Sequence, residues 1–439
     1  MKQASGRRPF RSVALSSVVA LTAATAGVLV PALAPVAAYA EEAGPLRGPA
    51  APAEHEFLQK TLRGQTLPRH AYATAATEAL AVDTTGAAWH SLGPANIGGR
   101  VTSLAVDPVH PDTLFAAAAS GGVWVSRDAG LTFSPAWPQD ATQAIGAVAT
   151  APDGTVYAGT GEVNPGGGSL TYTGTGLYRS RDGGRSWDHL GLADSGAIGA
   201  ITVDPADPRR IFVAAAGSLF NAGGDRGVYA SVDGGATWTR VLTGATEWTG
   251  ATEVFLDPRD ARRLYAVMWD HRREPDRRTY GGVGSGVYRS VDGGASWTLL
   301  ANGLPGAAAG VGRIGLGIAA SDPDRLYAIV NQTSGPFEGF YGSTDGGDSW
   351  TRLPDSEDLA ESQSSFGWWF GKVWVDPANA NHVHVAGVAL LTTRNAGRTW
   401  TFEDDDIHVD QHAMVWDARY RGRVYLGNDG GVYRSEVDG

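Results

Sequence analysis

The residues of this chain with the greatest capacity for chemistry lie near its carboxyl end. His408, Asp410 and His412 are separated by single residues. In an extended segment, side chains two positions apart face the same side, so these three are predicted to converge. Asn428 and Asp429 follow in the next predicted loop. We predict that Asp429 joins the His408–His412 cluster, and that Asn428 contacts a bound substrate.

Three interpretations of this cluster remain open from the sequence. His408, Asp410 and His412 could bind a divalent metal, because imidazole and carboxylate groups are common metal ligands. Asp410 and Asp429 could instead act as acid and base, or acid and nucleophile, in glycoside hydrolysis, where the separation of the two groups decides the stereochemical outcome. In the third interpretation, these polar residues form a hydrogen-bonded plug in the centre of the fold.

Four more residues are predicted to contact a substrate. Glu162 and Asn164 begin a long loop, where Glu162 could supply a third carboxylate or could fix the loop. Arg100 precedes a predicted inner strand, as Arg313 does further along, and either guanidinium could meet an anionic group. Trp369 could stack on the apolar face of a sugar ring, although such residues more often pack between sheets.

A sequence motif that recurs along the chain defines the fold in which these residues are placed. The pattern Ser/Thr-x-Asp-x-Gly-x-Ser/Thr-Trp begins at Ser180, Ser231, Ser290 and Ser343, with degenerate copies at Ser126 and Thr393. A period of roughly fifty residues is that of a four-stranded propeller blade. In each copy the Asp is predicted to accept backbone N–H groups of its own turn, Gly to supply a positive φ, and Trp to pack between sheets. We therefore predict that these aspartates form turns and do not catalyse.

The sequence predicts an all-β, seven-bladed β-propeller over residues 88–439. In the second period the four strands are predicted at 144–151, 155–159, 176–180 and 186–190. The seventh period ends before its fourth strand, and we expect Ala88–Leu92 to pair there and close the ring, since closure removes exposed strand edges. The alternative is that the sequence is a truncated piece of a longer chain.

The first forty residues are predicted to be a signal peptide. Lys2 and Arg7 lie in a basic start, Val13–Val30 is apolar, and Ala38-Tyr39-Ala40 is a small-residue cleavage site. We therefore expect a secreted, extracellular protein without a membrane span after cleavage. Residues 41–87 are predicted to be an N-terminal extension with helices near 54–62 and 71–80. The net charge is −11 and no long basic run occurs, which argues against a nucleic-acid partner.

Several phrases together resemble the Asp-box (BNR) repeat proteins, and most of all the secreted propellers of the glycosyl hydrolase or sortilin-like, xyloglucanase-type group. The resemblance covers roughly Trp89–Gly439 and rests on Gly93-Pro-Ala-Asn-Ile-Gly-Gly-Arg100, Gly159-Thr-Gly-Glu162-Val-Asn164, Met268-Trp-Asp270-His-Arg-Arg273, His408-Val-Asp410-Gln-His412-Ala and Gly427-Asn-Asp429-Gly-Gly-Val-Tyr433. Xyloglucanases have a catalytic Asp just before a Gly-Gly-x-Tyr-Arg stretch, and Asp429 with the residues up to Arg434 looks like that stretch. The corresponding place in the first blade, Ala119-Ser120-Gly121-Gly122, has no carboxylate.

Two hypotheses of function follow. In the first, the protein is a secreted carbohydrate-active hydrolase that uses Asp410 and Asp429 on the face opposite the repeat turns, where we expect long irregular loops at 162–176, 219–227, 269–286 and 355–372. In the second, it is a non-catalytic, sortilin-like propeller that binds an extracellular peptide or a glycan. The repeats themselves supply a scaffold and do not specify a reaction.

Overall fold

A computed structural model describes residues 70–82, 98–164, 172–273, 278–306, 310–354, 356–403 and 406–437. The chain divides into two units, Met1–Leu46 and Arg47–Gly439, and every described residue belongs to the second. The predicted signal peptide, the predicted helix at 54–62 and the predicted closing strand Ala88–Leu92 lie outside the described residues.

The fold is an all-β, seven-bladed propeller, as predicted. Each blade is an antiparallel sheet whose strands follow one another in sequence order, and in six of the blades all four strands are described. From the inner to the outer strand, the first three blades are β1 Val101–Val106, β2 Leu114–Ala118, β3 Gly122–Ser126 and β4 Ser134–Pro135; β5 Ile145–Thr150, β6 Val156–Thr160, β7 Leu177–Ser180 and β8 Asp188–His189; and β9 Ile198–Val203, β10 Ile211–Ala215, β11 Gly227–Ser231 and β12 Thr239–Leu242.

The remaining blades continue the same order, with one small hairpin inserted in the fourth. Their strands are β13 Thr249–Leu256, β14 Leu264–Asp270, β17 Gly286–Ser290 and β18 Thr298–Leu299, with the hairpin β15 Arg272–Arg273 and β16 Arg278–Thr279; β19 Val311–Ile318, β20 Leu326–Gln332, β21 Phe337–Ser343 and β22 Thr351–Arg352; β23 Val373–Val375, β24 Val383–Val385, β25 Leu391–Thr393 and β26 Thr401–Phe402; and β27 Gln411–Trp416, β28 Val424–Asn428 and β29 Gly431–Ser435.

The core lies between neighbouring blades, because each sheet is covered on both faces. The second strands are therefore almost continuously apolar: β10 reads Ile-Phe-Val-Ala-Ala and every residue of it is buried. Between the first two blades, Phe115 packs with Ile145 and Val156. The rings of Trp137 and Trp187 meet edge to face there, with centroids 4.9 Å apart.

The repeat motif forms a hydrogen-bonded turn between the third and fourth strands of its blade. In the second blade, Asp182 Oδ1 accepts the Ser186 N–H at 2.9 Å and Oδ2 accepts the Ser186 hydroxyl at 2.6 Å. The Ser180 hydroxyl oxygen accepts the N–H of Gly184 at 2.8 Å, and the φ of Gly184 is +87°. Trp187 then donates its Nε1–H to Ala136 O of the first blade at 2.8 Å. These bonds confirm the predicted turn-forming role of the aspartate.

One repeat carries asparagine at the aspartate position and so predicts the effect of a substitution. Asn395 Oδ1 accepts the Thr399 N–H at 2.9 Å, and its Nδ2 donates to Thr399 Oγ1 at 2.7 Å. We therefore expect Asp233→Asn to keep the wild-type melting temperature within about a degree, and Asp233→Ala to lower it by a few degrees. Hydrogen bonds from Thr237 lower the pKa of Asp233 to about 2, so the wild-type turn should lose its charge only as the pH falls through about 2. Equal losses in both variants would contradict this role.

Direct contacts join the last described blade to the first. Gly98 N donates to Gly430 O at 2.8 Å, just before β1 begins. Arg434 Nη1 donates to Ala129 O at 2.6 Å, and Arg423 pairs with Asp112 at 2.8 Å. The ring is therefore closed by hydrogen bonds among described residues, whatever strand completes the seventh blade.

The described residues contain three helices. The first, α1 Ala71–Leu80, lies where an Ala-rich helix was predicted. The other two, α2 Glu357–Gln363 and α3 Gly367–Phe370, occupy the segment predicted to be an irregular loop, and that prediction was wrong. Ser356 caps α2 by accepting the Asp358 N–H, and the first turn is acidic, so the helix start was present in the sequence. No described helix is long and apolar enough to cross a membrane.

Candidate active site

The beginnings of the inner strands and the loops between second and third strands lie together on one face, here called the loop face. Arg100 precedes β1 and His412 lies in β27, both at the start of an inner strand. Glu162 follows β6 and Asp429 follows β28, both in loops between a second and a third strand. The repeat turns join the third and fourth strands, at the opposite ends of the sheets. The topology therefore collects these four side chains on the loop face.

His412 and Asp429 form the best-defined contact of the site. His412 Nε2 lies 2.9 Å from Asp429 Oδ1. Burial lowers the pKa of His412, so the ring is neutral near pH 7, and its Nε2–H must donate because the carboxylate can only accept. The ring centroids of Trp369 and Phe370 lie 5.5 Å and 5.9 Å from that of His412. The aromatic residues of α3 thus fix the imidazole that holds Asp429.

Arg100 and Glu162 form a second, buried pair that joins the first two blades. Arg100 Nη2 lies 2.7 Å from Glu162 Oε2, and the Glu162 side chain is 2% exposed. Burial raises the pKa of Glu162 to about 7 against the opposing effect of Arg100, and the charge of Asp429 adds to the increase. The Arg100 guanidinium lies 5.5 Å from the centre of the Trp369 ring. Trp369 therefore connects the Arg100–Glu162 pair to the His412–Asp429 pair.

Asp410 belongs to the site and is influenced by the charges of both His408 and His412, but the backbone there is not a regular strand. The φ of Asp410 is +68°, which interrupts the strand alternation on which the predicted convergence of His408, Asp410 and His412 depended. His408 is exposed, and its Nδ1 meets the carbonyl oxygen of Val409 at 2.9 Å. Among the described residues, no group of three or more His, Cys, Asp or Glu side chains is arranged to hold a metal ion. His408, Asp410 and His412 are therefore not brought together as a ligand set.

Asp410 and Asp429 have different surroundings. Asp410 is half-buried, and burial, followed by the negative charge of Asp429, raises its pKa. Asp429 instead accepts a hydrogen bond from His412. Asp410 is thus favoured in its protonated form, while Asp429 is held as a hydrogen-bond acceptor, as expected of an acid beside a base.

The two predicted asparagine contacts differ from each other. The Asn428 side chain is used within the seventh blade: Nδ2 donates to His408 O at 2.9 Å and Oδ1 accepts the Gly430 N–H at 3.0 Å. Asn428 therefore ties the loop at Asp429 to the segment that precedes β27. Asn164 is buried two residues after Glu162, and its Oδ1 has no hydrogen-bond partner among the described residues.

Several buried polar atoms of the site have no hydrogen-bond partner among the residues that the structure describes. They are Arg100 Nε, Glu162 Oε1, Asn164 Oδ1, Trp369 Nε1 and His412 Nδ1. Buried polar atoms in native proteins are nearly always satisfied by protein, by ordered water or by a ligand. Donors and acceptors concentrated on one face in this way favour a polar ligand or the water that it would displace.

Phe370 and the short helix that carries it were not predicted to be part of the site. Trp368-Trp369-Phe370 was visible as an aromatic run after Gly367. Its position against His412 depends on α3, which packs against β19 in another blade. No local pattern specifies that contact.

Comparisons with known proteins agree with this architecture. The family model described as sortilin, neurotensin receptor 3, matches residues 175–334. A xyloglucanase of Paenibacillus sp. is 28% identical over 261 residues, covering 57% of this chain and 22% of the relative. The oligoxyloglucan-reducing end-specific xyloglucanase of Emericella nidulans is 25% identical over 333 residues, covering 67% of this chain and 37% of the relative. The crystal structure of the Niastella koreensis GH74 enzyme superposes with a TM-score of 0.54 at 18% identity, covering 78% of this chain and 53% of that one.

The chain is thus similar to sortilin-type and xyloglucanase propellers. The match spans about a fifth of the length of the Paenibacillus relative and just over a third of the length of the Emericella nidulans relative. The match to the solved structure concerns the fold of the propeller, and the chemistry of this chain must be argued from its own loop face.

The buried Glu162 of this propeller predicts a pH-dependent stability. Its pKa of about 7 in the folded state lies above the ordinary value of 4.5, so its contribution is fully present below about pH 4.5 and is lost as the pH rises through 7. That shift corresponds to about 3 kcal/mol. Relative to Glu162→Gln, the wild-type free energy of unfolding should fall by up to about this amount between about pH 5 and pH 8. Urea unfolding of both proteins measures it, and parallel pH profiles would contradict it.

Proposed function

We propose that this propeller is a secreted glycoside hydrolase that cleaves a polysaccharide on its loop face. The proposal is carried by one observation: Asp410, half-buried with a raised pKa, lies in the same site as Asp429, which accepts a hydrogen bond from His412. Two of its relatives are xyloglucanases, which supports a polysaccharide substrate. The signal peptide predicted at residues 1–40 would bring the enzyme to such a substrate outside the cell.

Asp410 is the general acid in this proposal. Burial and the neighbouring carboxylate favour its protonated form, which a proton donor to the glycosidic oxygen requires. The left-handed backbone at Asp410 turns this side chain out of the regular strand face at the entrance to β27. As the bond to the leaving sugar breaks, the proton passes from the Asp410 carboxyl to that sugar's oxygen.

Asp429 is the nucleophile or general base. The hydrogen bond from neutral His412 holds one carboxylate oxygen, and the side chain is 25% exposed, so the carboxylate remains accessible. Asp429 would either attack the anomeric carbon or remove a proton from the attacking water. His412 contacts Asp429 and acts as a positioning residue.

Arg100, Glu162 and Trp369 are the proposed substrate contacts. Trp369 is half-buried beside Arg100, so part of its ring is available to a sugar face. The unpartnered Glu162 Oε1 and Arg100 Nε offer an acceptor and a donor to neighbouring hydroxyl groups. Asn164 lies near the start of the same loop and could add a further acceptor.

A panel of purified plant and microbial polysaccharides tests the proposal. The protein is incubated with each, and released oligosaccharides are separated and quantified by anion-exchange chromatography. We expect turnover of at least one polysaccharide, and loss of that turnover in the Asp429→Asn variant. Binding in affinity electrophoresis without any turnover would instead support the sortilin-like alternative, in which the loop face only binds a glycan or an extracellular peptide. The family match over residues 175–334 favours this second candidate.

A further inference from the structure

Arg313 is an unusual buried charge outside the proposed catalytic pair. It lies in β19, the inner strand of the fifth blade, and its side chain is 0% exposed. Nε, Nη1 and Nη2 all lack a hydrogen-bond partner among the described residues. A guanidinium carries five N–H donors in one plane and stays protonated in proteins. Leaving such a group buried without acceptors is strongly unfavourable, so an acceptor is expected.

Another buried arginine shows how this fold normally satisfies a guanidinium. Arg226 is 3% exposed, and every one of its nitrogens donates to backbone carbonyl groups. Its acceptors are Gly223 O at 2.9 Å from Nε, Ala216 O at 2.6 Å and Trp248 O at 3.0 Å from Nη1, and Asn221 O at 2.7 Å together with Ser218 O from Nη2. Arg313 has no comparable set among the described residues. Burial alone therefore does not explain its missing partners.

The acid whose charge acts on Arg313 is already engaged by other groups. Glu253 attracts Arg313 electrostatically. However, its Oε1 accepts from Lys372 Nζ at 2.8 Å and its Oε2 accepts from Leu316 N at 3.1 Å. Lys372 and Glu253 neutralise each other, so among the described residues no carboxylate is left to balance the positive charge of Arg313. Burial lowers the pKa of Arg313 only to about 10, so the charge persists at neutral pH.

The contacts that hold Arg313 in place leave its N–H groups without acceptors among the described residues. Its guanidinium lies 4.8 Å from the centre of the Trp269 ring, a cation–π contact that covers one face of the plane. The N–H groups point within that plane and still need acceptors. On another side the chain passes close by at Gly371, where an added Cβ would lie 2.5 Å from Arg313 Cγ and 2.7 Å from Nε. The glycine permits this approach, and the arginine is held firmly in place.

We propose that Arg313 binds one small inorganic anion, such as chloride, inside the propeller between the fourth, fifth and sixth blades. The anion accepts from the guanidinium edge and balances the charge that Glu253 and Lys372 leave uncompensated. It ties together β19, the Trp269 strand β14 and the segment before β23. This site is separate from the Asp410–Asp429 pair and does not depend on the proposed hydrolase activity.

Salt-dependent stability tests the site on the wild-type chain. The melting temperature is measured in sodium chloride and in sodium gluconate, an anion too large for a buried site, at equal ionic strength. We expect a saturable increase of about 5 °C in chloride, since a ligand that binds only the folded state stabilises it by mass action. Arg313→Met should show no such increase. Identical melting temperatures of the wild type in both salts would overturn the proposal, as would an undiminished increase in Arg313→Met.

Two further measurements decide the matter if Arg313→Met does not fold. Arg226→Met is the matched control: it loses a buried guanidinium that has protein partners, so it should be less stable in both salts but keep the chloride increment. Wild-type crystals soaked in bromide should give an anomalous peak beside the Arg313 guanidinium. Density for water alone at that edge, with no bromide peak, would overturn the proposal independently of any variant.

Discussion

Asp429→Asn is expected to lower the kcat for a polysaccharide substrate by about 10³-fold, within the range that a positioned acid or base contributes. The amide keeps the size of the side chain and can still contact His412, which lies 2.9 Å from Asp429. It can neither attack the anomeric carbon nor remove a proton from water. Initial rates on the best substrate of the panel measure the change, and circular dichroism checks that the fold is retained.

The Asp410→Asn variant tests whether Asp410 and Asp429 have different roles in the reaction. If Asp410 donates the proton, its loss should matter for a polysaccharide but much less for an aryl glycoside, whose leaving group needs little protonation. Asp429→Asn should slow both substrates alike. The matched control is Asp188→Asn, an exposed carboxylate on an outer strand, which should keep wild-type rates. Full activity of either site variant would remove that residue from the mechanism.

Phe115→Ala is expected to destabilise the propeller by about 3–5 kcal/mol, because it removes a fully buried ring between two blades. Phe115 is 0% exposed and lies in the cluster that holds Ile145 and Val156 of the second blade. Neighbouring backbones are fixed by their own sheets, so little collapse into the cavity is expected. Chemical unfolding at neutral pH measures the loss.

The control for this core substitution is Val232→Ala. Val232 is 71% exposed at the second position of a repeat turn, so its free energy of unfolding should change by no more than about 0.5 kcal/mol. A Phe115→Ala loss as small as that of the control would mean that the contact between the first two blades contributes little to stability.

The sequence predicted the propeller well because its signals are local and repeated. In the second blade the predicted strands agree with β5, β6 and β7 to within one residue at most ends. The turn formed by Asp182 also follows from chemistry within one short segment. The segment 355–372 was less predictable, because the aromatic run 367–370 hid a short helix whose position depends on another blade.

The residues of the candidate site could be predicted from the sequence, but the contacts between their side chains could not. Arg100 and Glu162 were both predicted to bind substrate, yet their ion pair joins residues from different blades, which no single motif encodes. His408 is exposed and His412 is buried, and the positive φ of Asp410 between them is not revealed by strand periodicity. His412 pairs with Asp429, through a contact between β27 and the loop that follows its neighbouring strand β28.

A crystal structure of the Asp429→Asn variant with an oligosaccharide that the wild type cleaves would test directly whether the loop face is the active site. We expect the scissile bond to lie on the loop face between Asp410 and residue 429, with one sugar ring against Trp369. An oligosaccharide bound beside the repeat turns, or with its glycosidic bonds out of reach of both side chains, would contradict it.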